Sequence, residues 1–401
     1  MSDDLRACVL EAIDSRREEL IALSLAIHGD PETAYQEHRA SERLATYLAA
    51  NGFEVERPYG GLATAYRAAA RAGKRGPTVA ILSEYDALPD IGHACGHNLI
   101  AVMGAGAAVG VRAALEGAGG TLLAVGTPAE EGGGGKVALV RAGAFRGVDV
   151  AMMCHPSSRT LMGRTSLASN RVLVEFRGRA AHAAAQPDKG INALDGVIQT
   201  FNNVNAMRQQ LRPDARVHGI VTSGGSAANI IPEYAASRWS VRALDHSYQK
   251  EVLRRFIACA EGAATATGTK VQVTVDENAG YENMVFSTPL AERWREHIRG
   301  LGVEVSTVAD DERMGSTDMG NVSQVVPSIH PYIGIAPEGT PGHSTAFRDA
   351  AATPQALANA IAAAKALALV ALDVLREPAL LERARAEFAE RRAAGIVKGD
   401  G

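Results

Sequence analysis

Hydrophobic positions in the first 165 residues recur with two different periods. Apolar residues are spaced three or four apart over residues 5–27, which predicts one long helix. The same spacing predicts helices near 37–51, 97–118 and 136–142, and short aliphatic runs predict buried strands at 78–82, 122–125 and 148–153. Strands and helices that alternate in this way indicate a mostly parallel sheet with helices on both faces.

The pattern changes near residue 165. Residues 171–177 alternate between apolar and polar side chains, as expected of a strand with one exposed face. After it come a predicted helix near 190–211, strands near 216–222 and 236–243, a helix near 248–266 and a strand near 269–275. This order is a β-α-β-β-α-β unit, the ferredoxin-like arrangement. Its antiparallel sheet has a free edge, which pairing with a second copy of the chain would cover.

The first pattern returns after Tyr281, with a helix near 289–300, strands near 303–306 and 329–335, and a long helix near 354–376. The ferredoxin-like unit is therefore predicted to be an inserted lid or dimerisation domain at 167–283, within a catalytic domain formed by 1–166 and 284–401. The predicted fold class is α/β, with a mixed, mostly parallel sheet sandwiched by helices. The tail at 382–401 is rich in Ala, Arg and Glu and predicts a surface helix with a frayed end.

Composition and charge narrow the location and the partners of the protein. Lys and Arg number 41 against 45 Asp and Glu, and the net charge of −4 argues against a nucleic-acid or anionic-membrane partner. No apolar run approaches the roughly 20 residues of a membrane span. The first residues are acidic where a signal peptide would be basic. The four cysteines are scattered, which favours a reducing compartment. We therefore expect a cytoplasmic protein.

Candidate chemistry is concentrated in residues 83–98, directly after the predicted strand at 78–82. Cys95 and His97 are separated by one glycine, so both side chains can face one ion. The carboxyl end of a buried strand is where open α/β sheets place their sites. Taken alone, the same pair also fits a reduced core cysteine beside a helix-capping histidine.

Further metal-ligating side chains follow other predicted strands or lie in turns. Glu130 and Glu131 come after one strand and His155 after another, and His343 lies in a Gly/Pro turn. Successive side chains diverge at a strand end, so one glutamate can bind metal while the other handles protons. The candidate ligands are Cys95, His97, Glu131, His155 and His343. This set suits Zn²⁺ and also Mn²⁺ or Co²⁺. Five ligands exceed the need of one catalytic zinc and fit two metals about 3.5–4 Å apart.

The order of these motifs resembles a known family, the co-catalytic metallopeptidases that include aminoacylases, glutamate carboxypeptidase and carnosine-type dipeptidases. The resemblance rests on residues 27–32, 86–89, 93–98, 128–131, 155–156 and 343–344, and in the inserted domain on 178–182, 229–232 and Arg242. The chain resembles in particular the amidohydrolase branch with hippurate and auxin-conjugate hydrolases. Residues 316–323 are more similar to aminobenzoyl-glutamate hydrolase and β-alanyl-lysine dipeptidase-like members. Residues 83–86 read Ser-Glu-Tyr-Asp, where hippurate-type members show Arg-x-Asp-x-Asp.

The resemblance implies a role for each candidate residue. Two divalent ions per subunit would be bridged by Cys95 and further held by His97, Glu131, His155 and His343. Glu130 would be the general base, and Asp86 would orient a metal ligand. His182 would stabilise the oxyanion in the site of the neighbouring subunit. Asn229 and Arg242 would hold the free carboxylate of the substrate.

The predicted function is metal-dependent hydrolysis of an amide bond in an N-acyl amino acid or dipeptide. A homodimer formed through the lid domain is expected, with Zn²⁺ or Mn²⁺, or else Co²⁺, as the ions. An aminopeptidase on the same scaffold would instead require a substrate with a free α-amine. A metal-bound peptide or small-molecule sensor without turnover is a third alternative, against which the intact Glu130 argues.

Overall fold

The computed structural model describes residues 2–308 and 315–397, apart from the side chains of residues 2, 3 and 277–279. The chain forms two units. Unit 1 comprises Met1–Thr165, Met284–Met314 and Asp318–Gly401, and unit 2 comprises Ser166–Asn283 and Gly315–Thr317. The predicted fold class, α/β with an inserted β-α-β-β-α-β unit, is confirmed.

A six-stranded sheet is the centre of unit 1. Its strands are β1 (Glu54–Glu56), β2 (Tyr66–Arg71), β3 (Thr78–Ser83), β4 (Thr121–Gly126), β5 (Val150–Met152) and β13 (Ser328–Ile329). The spatial order is β1-β2-β4-β3-β5-β13. Pairing is parallel from β4 to β13 and antiparallel at β1 and β2. A separate parallel pair joins β6 (His155–Ser157) to β14 (Tyr332–Gly334). Parallel strands end at one edge, and the candidate ligands follow those ends.

Helices cover the sheet of unit 1. They are α1 (Ser2–Asp14), α2 (Arg17–His28), α3 (His38–Ala50), α4 (His97–Ala118), α5 (Gly135–Arg141), α8 (Thr288–Gly300), α9 (Met319–Ser323), α10 (Thr345–Ala350), α11 (Pro354–Arg376) and α12 (Pro378–Ala393). Both α4 and α11 are long and apolar enough to cross a membrane by length and composition alone. Their apolar windows are 89% and 78% buried inside the protein, and the two helices pack against each other in the core.

Two glycines fix the start of α4 at the end of β3. Gly96 has a φ of +77°, and a Cβ there would lie 2.9 Å from Pro156 Cγ. A Cβ on Gly104 would lie 2.2 Å from the Ser83 hydroxyl oxygen, so only glycine allows the helix to approach the strand this closely. The residues on either side of Gly96 are Cys95 and His97, which are thereby held at the carboxyl edge of the sheet.

Unit 2 is an antiparallel sheet with two helices. Its elements are β7 (Ala168–Arg177), β8 (Ala181–His182), a 3-10 turn (Pro187–Lys189), α6 (Ala193–Arg208), β9 (Arg216–Ser223), β10 (Ile230–Ile231), β11 (Tyr234–Ala243), α7 (His246–Thr267) and β12 (Lys270–Tyr281). The main sheet has the order β12-β7-β11-β9, and β8 pairs with β10 in a separate hairpin. Trp239 packs between Phe201 and Phe256 in its core. At the β9 edge, Ile220 and Val221 are exposed.

The prediction of one helix over 5–27 is wrong, because the chain bends between α1 and α2. Arg16 adopts φ −108° and ψ 9°, and its backbone N–H donates to Ile13 rather than continuing the α-helical ladder. The Arg16 guanidinium donates to the Asn51 side-chain oxygen at 2.7 Å, which holds the bend. The spacing of apolar residues does not reveal a short turn when the helices on both sides of it bury similar faces.

Strand predictions failed in three places. Residues 303–306 form no strand, although Ser306 donates one backbone hydrogen bond to Thr160. The strand predicted at 329–335 is divided into β13 and β14, since Pro331 lies between them and has no N–H to donate. Strands β1 and β2 were not predicted, because β2 reads Tyr-Arg-Ala-Ala-Ala-Arg and alanine has little strand propensity.

The C-terminal helix begins earlier than predicted. Helix α12 starts at Pro378, and its residues Leu380, Leu381 and Ala384 are buried, so this helix packs on the core along one face. The frayed end predicted for the tail falls partly on residues 398–401, which lie outside the described part of the chain.

Candidate metal centre

Cys95, His97 and His155 form the first group of candidate ligands. Their ligand atoms lie within 4.8 Å of one another, and Cys95 Sγ is 3.6 Å from His155 Nε2. Cys95 precedes the glycine that opens α4, His97 is the first residue of α4, and His155 begins β6. Two segments that are distant in sequence therefore meet at the carboxyl edge of the sheet.

Hydrogen bonds at Nδ1 orient both histidines of this group. His97 Nδ1 lies 2.9 Å from the Asp86 carboxylate, and His155 Nδ1 lies 2.7 Å from the Pro156 carbonyl. An oxygen acceptor at Nδ1 places the ring proton there and leaves the lone pair on Nε2. Burial lowers the pKa of His155 to about 4, against the effect of the nearby Glu84 carboxylate, so the ring is neutral. Both rings thus present Nε2 as a metal ligand would.

Cys95, Glu131 and His343 form the second group, which shares the cysteine with the first. Its ligand atoms also lie within 4.8 Å of one another, and His343 Nε2 is 3.3 Å from Glu131 Oε1. His343 has a φ of +57°, and its N–H donates to the Ala94 carbonyl, which ties this turn to the cysteine segment. Cys95 is therefore placed between two sets of ligands, as a bridging residue would be.

The spacing of the ligand atoms fits metal ions. Two donors bound to one zinc ion are about 3.3–3.6 Å apart at bond lengths of about 2.0–2.3 Å and tetrahedral angles. The contacts of 3.6 Å and 3.3 Å given above match this spacing. His97 Nε2 and Glu131 Oε1 are both buried and find no hydrogen-bond partner among the described residues. A cation bound between these two buried atoms would satisfy both of them.

Burial and neighbouring charges shift the pKa values of the candidate ligands. Burial would lower the pKa of His97, but the Asp86 carboxylate raises it well above its usual value. Burial would raise the pKa of Glu131, but the contact with His343 at 3.3 Å and the charge of His97 lower it. Burial, and then Glu131, raise the pKa of the Cys95 thiol, so the thiolate that binds metal depends on the ion itself.

Glu130 lies beside these ligands, in a buried position. Its carboxylate is within 4.8 Å of ligand atoms of His97 and Glu131. Burial raises its pKa well above the ordinary value, and the charges of Glu84, Glu131 and Asp318 raise it further. A carboxylate with a raised pKa next to a metal centre has the property that a general base requires.

The two glutamates follow a residue with a strained backbone. Ala129 has a φ of +59°, and its N–H donates to Glu37 Oε1 at 2.9 Å. Glu37 is buried, accepts a further bond from Thr64 through Oε2, and has its pKa raised by burial to about 7. Asp86 accepts the Glu131 N–H at 2.9 Å. Glu37 and Asp86 together hold the backbone conformation of this loop, and sequence analysis identified no role for Glu37.

Sequence analysis also did not predict a buried ion-pair triad near the candidate metal centre. Lys136 Nζ lies 2.5 Å from Glu84 Oε1 and 2.8 Å from Asp318 Oδ1, and all three side chains are fully buried. Burial would lower the pKa of Lys136, but Asp318 and Glu84 raise it, so the ammonium stays charged. Lys136 is separated from these two partners by 52 and 182 positions in the chain, and no local spacing could have signalled their contact.

The remaining predicted site residues belong to unit 2. His182 is exposed and lies in β8 opposite Ile230, and the Asn229 carbonyl accepts the N–H of Ala183. His182 Nδ1 accepts the N–H groups of Ala184 and Ala185 at 3.3 and 3.1 Å, which leaves Nε2 as a donor. Arg242 lies on β11, where its Nε donates to Ser240. Burial lowers the pKa of Arg242, and Arg171 lowers it further.

Metal should protect Cys95 from alkylation. At alkaline pH, which its raised pKa demands, Cys95 of metal-free protein should react with iodoacetamide, and metal-loaded protein should be protected. Peptide mass spectrometry measures the extent of modification, with Cys8 as the internal reference whose reactivity metal should not change. Equal modification of Cys95 with and without metal would contradict its role as a ligand.

Comparison with known proteins agrees with this geometry. The model of peptidase family M20/M25/M40 matches residues 80–370. The chain is 42% identical over 405 residues to the Xaa-Arg dipeptidase of Mus musculus, an alignment that covers 96% of this chain and 92% of that protein. The chain belongs to the M20/M25/M40 peptidase family.

Two other proteins extend the comparison. The chain is 30% identical to a p-aminobenzoyl-glutamate hydrolase polypeptide of Escherichia coli (strain K12), over 94% of this chain and 93% of that polypeptide. It shares the fold of a dinuclear metal binding peptidase of the M20 family from Bacillus subtilis. The TM-score is 0.67 at 20% identity, over 90% of this chain and 99% of that one. As a family member, the chain hydrolyses amide bonds of acyl amino acids or dipeptides and binds divalent metal ions.

Proposed function

We propose that the protein is a dipeptidase for dipeptides with a basic carboxyl-terminal residue. The observation that carries this proposal is the 42% identity, over 96% of the chain, to a protein described as an Xaa-Arg dipeptidase. The relative described as an aminobenzoyl-glutamate hydrolase is 30% identical. Because this identity is lower, a substrate with an acidic carboxyl-terminal residue is the second candidate.

The metal ligands in this proposal are the two groups that share Cys95. One ion would be held by Cys95, His97 and His155, and the other by Cys95, Glu131 and His343, with Asp86 orienting His97. The soft thiolate and three imidazoles suit Zn²⁺, and the carboxylate also admits Mn²⁺. Ions bound there polarise the amide carbonyl and lower the pKa of the attacking water.

Proton transfer is assigned to Glu130. Its carboxylate takes a proton from the attacking water and delivers it to the leaving nitrogen, which must be protonated to depart. The buried position of Glu130 supports this division of roles, as does the contact that Glu131 makes with His343.

Substrate contacts are assigned to unit 2. His182 carries its ring proton on Nε2 and is exposed, so it can donate a hydrogen bond to the oxyanion. Asn229 and Arg242 supply an amide and a guanidinium for the free carboxylate of the substrate. We further propose a cytoplasmic homodimer that pairs through the sheet of unit 2, whose β9 edge carries the exposed Ile220 and Val221.

A substrate panel tests the proposed function. We expect the highest kcat/KM on Xaa-Arg and Xaa-Lys dipeptides, measured with Zn²⁺, Mn²⁺ and Co²⁺ in turn. Matched Xaa-Glu dipeptides and aminobenzoyl-glutamate should be cleaved at least tenfold less efficiently. A preference for the glutamate substrates would reverse the assignment. Cleavage that depends on a free α-amine would indicate an aminopeptidase, and no turnover on any member of the panel would favour a sensor.

Two inactive variants should restore activity when mixed, if His182 serves the partner's site. In mixed dimers of His182→Ala and Glu130→Gln, one site lacks both residues and the other keeps both. Random mixing makes about half of the dimers mixed, so about a quarter of wild-type activity should return. Co-refolding followed by activity assay measures this. If verified mixed dimers are no more active than the separate variants, His182 does not act in the site of the neighbouring subunit.

A further inference from the structure

We propose that Glu84 is an additional metal ligand, which binds the same ion as His97. The inference rests on the metal centre proposed above and adds a carboxylate to it. Glu84 follows β3 directly, so it belongs to the same sheet edge as the other ligands.

The two oxygens of Glu84 have different surroundings. Oε1 is held by Lys136 Nζ at 2.5 Å. Oε2 is buried and has no hydrogen-bond partner among the described residues, and it faces His97 Nε2. The side chain is fully buried, so bulk water does not solvate Oε2. An anionic oxygen in such a place needs a cation or a donor.

The distance between the two atoms distinguishes a shared cation from a shared proton. Glu84 Oε2 and His97 Nε2 are 3.4 Å apart. A charge-assisted N–H···O bond has a length of about 2.7–2.9 Å. Two donors on one zinc ion are about 3.4 Å apart at tetrahedral angles. His97 Nδ1 contacts Asp86, so Nε2 is the ring nitrogen that faces the Glu84 carboxylate. The geometry therefore matches two ligands of one ion.

Glu84 would add a carboxylate to the ion that His97 binds. His97 belongs to the first group, with Cys95 and His155, and the Glu84 oxygen faces its Nε2.

Asp318 provides a matched control within the same triad. It contacts Lys136 as Glu84 does, but both of its oxygens are used, Oδ1 by Lys136 Nζ and Oδ2 by the Lys136 N–H. Glu84→Gln leaves Lys136 paired with Asp318, and Asp318→Asn leaves it paired with Glu84. Each variant therefore keeps one carboxylate for the buried ammonium, and only E84Q changes an atom that faces the metal position.

Metal binding by the two variants tests the inference without an activity assay. Chelator competition should show two tightly bound Zn²⁺ ions in the wild type and in D318N. In E84Q one of the two ions should bind at least tenfold more weakly, and the visible spectrum of the Co²⁺ form should change. Circular dichroism confirms the fold of each variant. Glu84→Ala, which lets water reach Lys136, should lose the same ion. This variant replaces E84Q in the test if the Gln amide does not fit the site.

Three results would overturn the inference. They are wild-type affinities for both ions in E84Q and E84A, an unchanged Co²⁺ spectrum, or an equal loss of metal in D318N. The last would show that Glu84 acts through the triad and not as a ligand. If the wild-type protein binds no divalent ion, the metal centre itself is refuted. This result therefore distinguishes failure of the proposed metal centre from failure of the Glu84 assignment.

Discussion

Glu130→Gln should retain its metal ions and lose most of its turnover. The substitution keeps the size of the side chain and removes the basic oxygen, and loss of a general base lowers kcat by a factor of about 10²–10⁴. The Glu130 carboxylate lies within 4.8 Å of ligand atoms of His97 and Glu131, close enough to serve water at the centre. Metal content by atomic emission and kcat on the best dipeptide are the two measurements.

The adjacent glutamate is the matched control. Glu131 Oε1 is buried, faces His97 and His343, and has no hydrogen-bond partner among the residues described. Glu131→Gln should therefore lower metal occupancy, with activity falling as a consequence. Equal metal loss in both variants would show that the two roles are assigned wrongly. A fully active Glu130→Gln would show that Glu130 is not the general base.

Lys136→Met should destabilise the protein by about 3–5 kcal/mol, the cost of removing one partner from a buried ion pair. The variant leaves the carboxylates of Glu84 and Asp318 buried at 0% side-chain exposure, without their cation. Urea unfolding of metal-free protein measures the difference. Lys365→Met is the control, since Lys365 pairs with the half-exposed Asp14 and such pairs contribute about 0–1 kcal/mol. Equal losses for the two variants would show that burial of the triad adds nothing to its stability.

The deficit of Lys136→Met should also depend on pH. Burial raises the pKa of Asp318 to about 6, although Lys136 lowers it, so removing Lys136 should raise that pKa further. A group whose pKa is higher in the folded state stabilises the fold at low pH and loses that contribution as the pH rises. The difference between variant and wild type should therefore be larger at pH 7 than at pH 4.5.

Sequence analysis identified the candidate metal ligands because each lies beside a feature with a clear local signal. Cys95 and His97 flank a glycine after an aliphatic strand, and the structure shows why that glycine is required: its φ is +77°, and a Cβ there would contact Pro156. Since parallel strands end at one edge, residues far apart in the chain could be expected to meet.

The residues that support those ligands could not be found in this way. The Lys136 triad depends on tertiary distances between α5, β3 and the start of α9, and a lysine in a short helix usually predicts an exposed face. Glu37 was missed for the same reason, because it precedes α3 in sequence but bonds to Ala129, 92 positions away. Buried ion pairs follow from the fold as a whole, whereas strand ends and glycine turns follow from local sequence.

The division of unit 1 into separate stretches of sequence has a consequence for its biosynthesis. Residues before 166 supply five strands of the six-stranded sheet and helix α4, of which 18 of 22 residues are buried in the finished protein. Helices α1 and α2 also pack on α4 and are made before it, but α11 is made only after all of unit 2. At ribosomal rates the stretch from residue 166 to residue 376 takes about 10–40 s to synthesise. For that time the face of α4 that packs on α11 is exposed in the nascent chain, where chaperones can bind it.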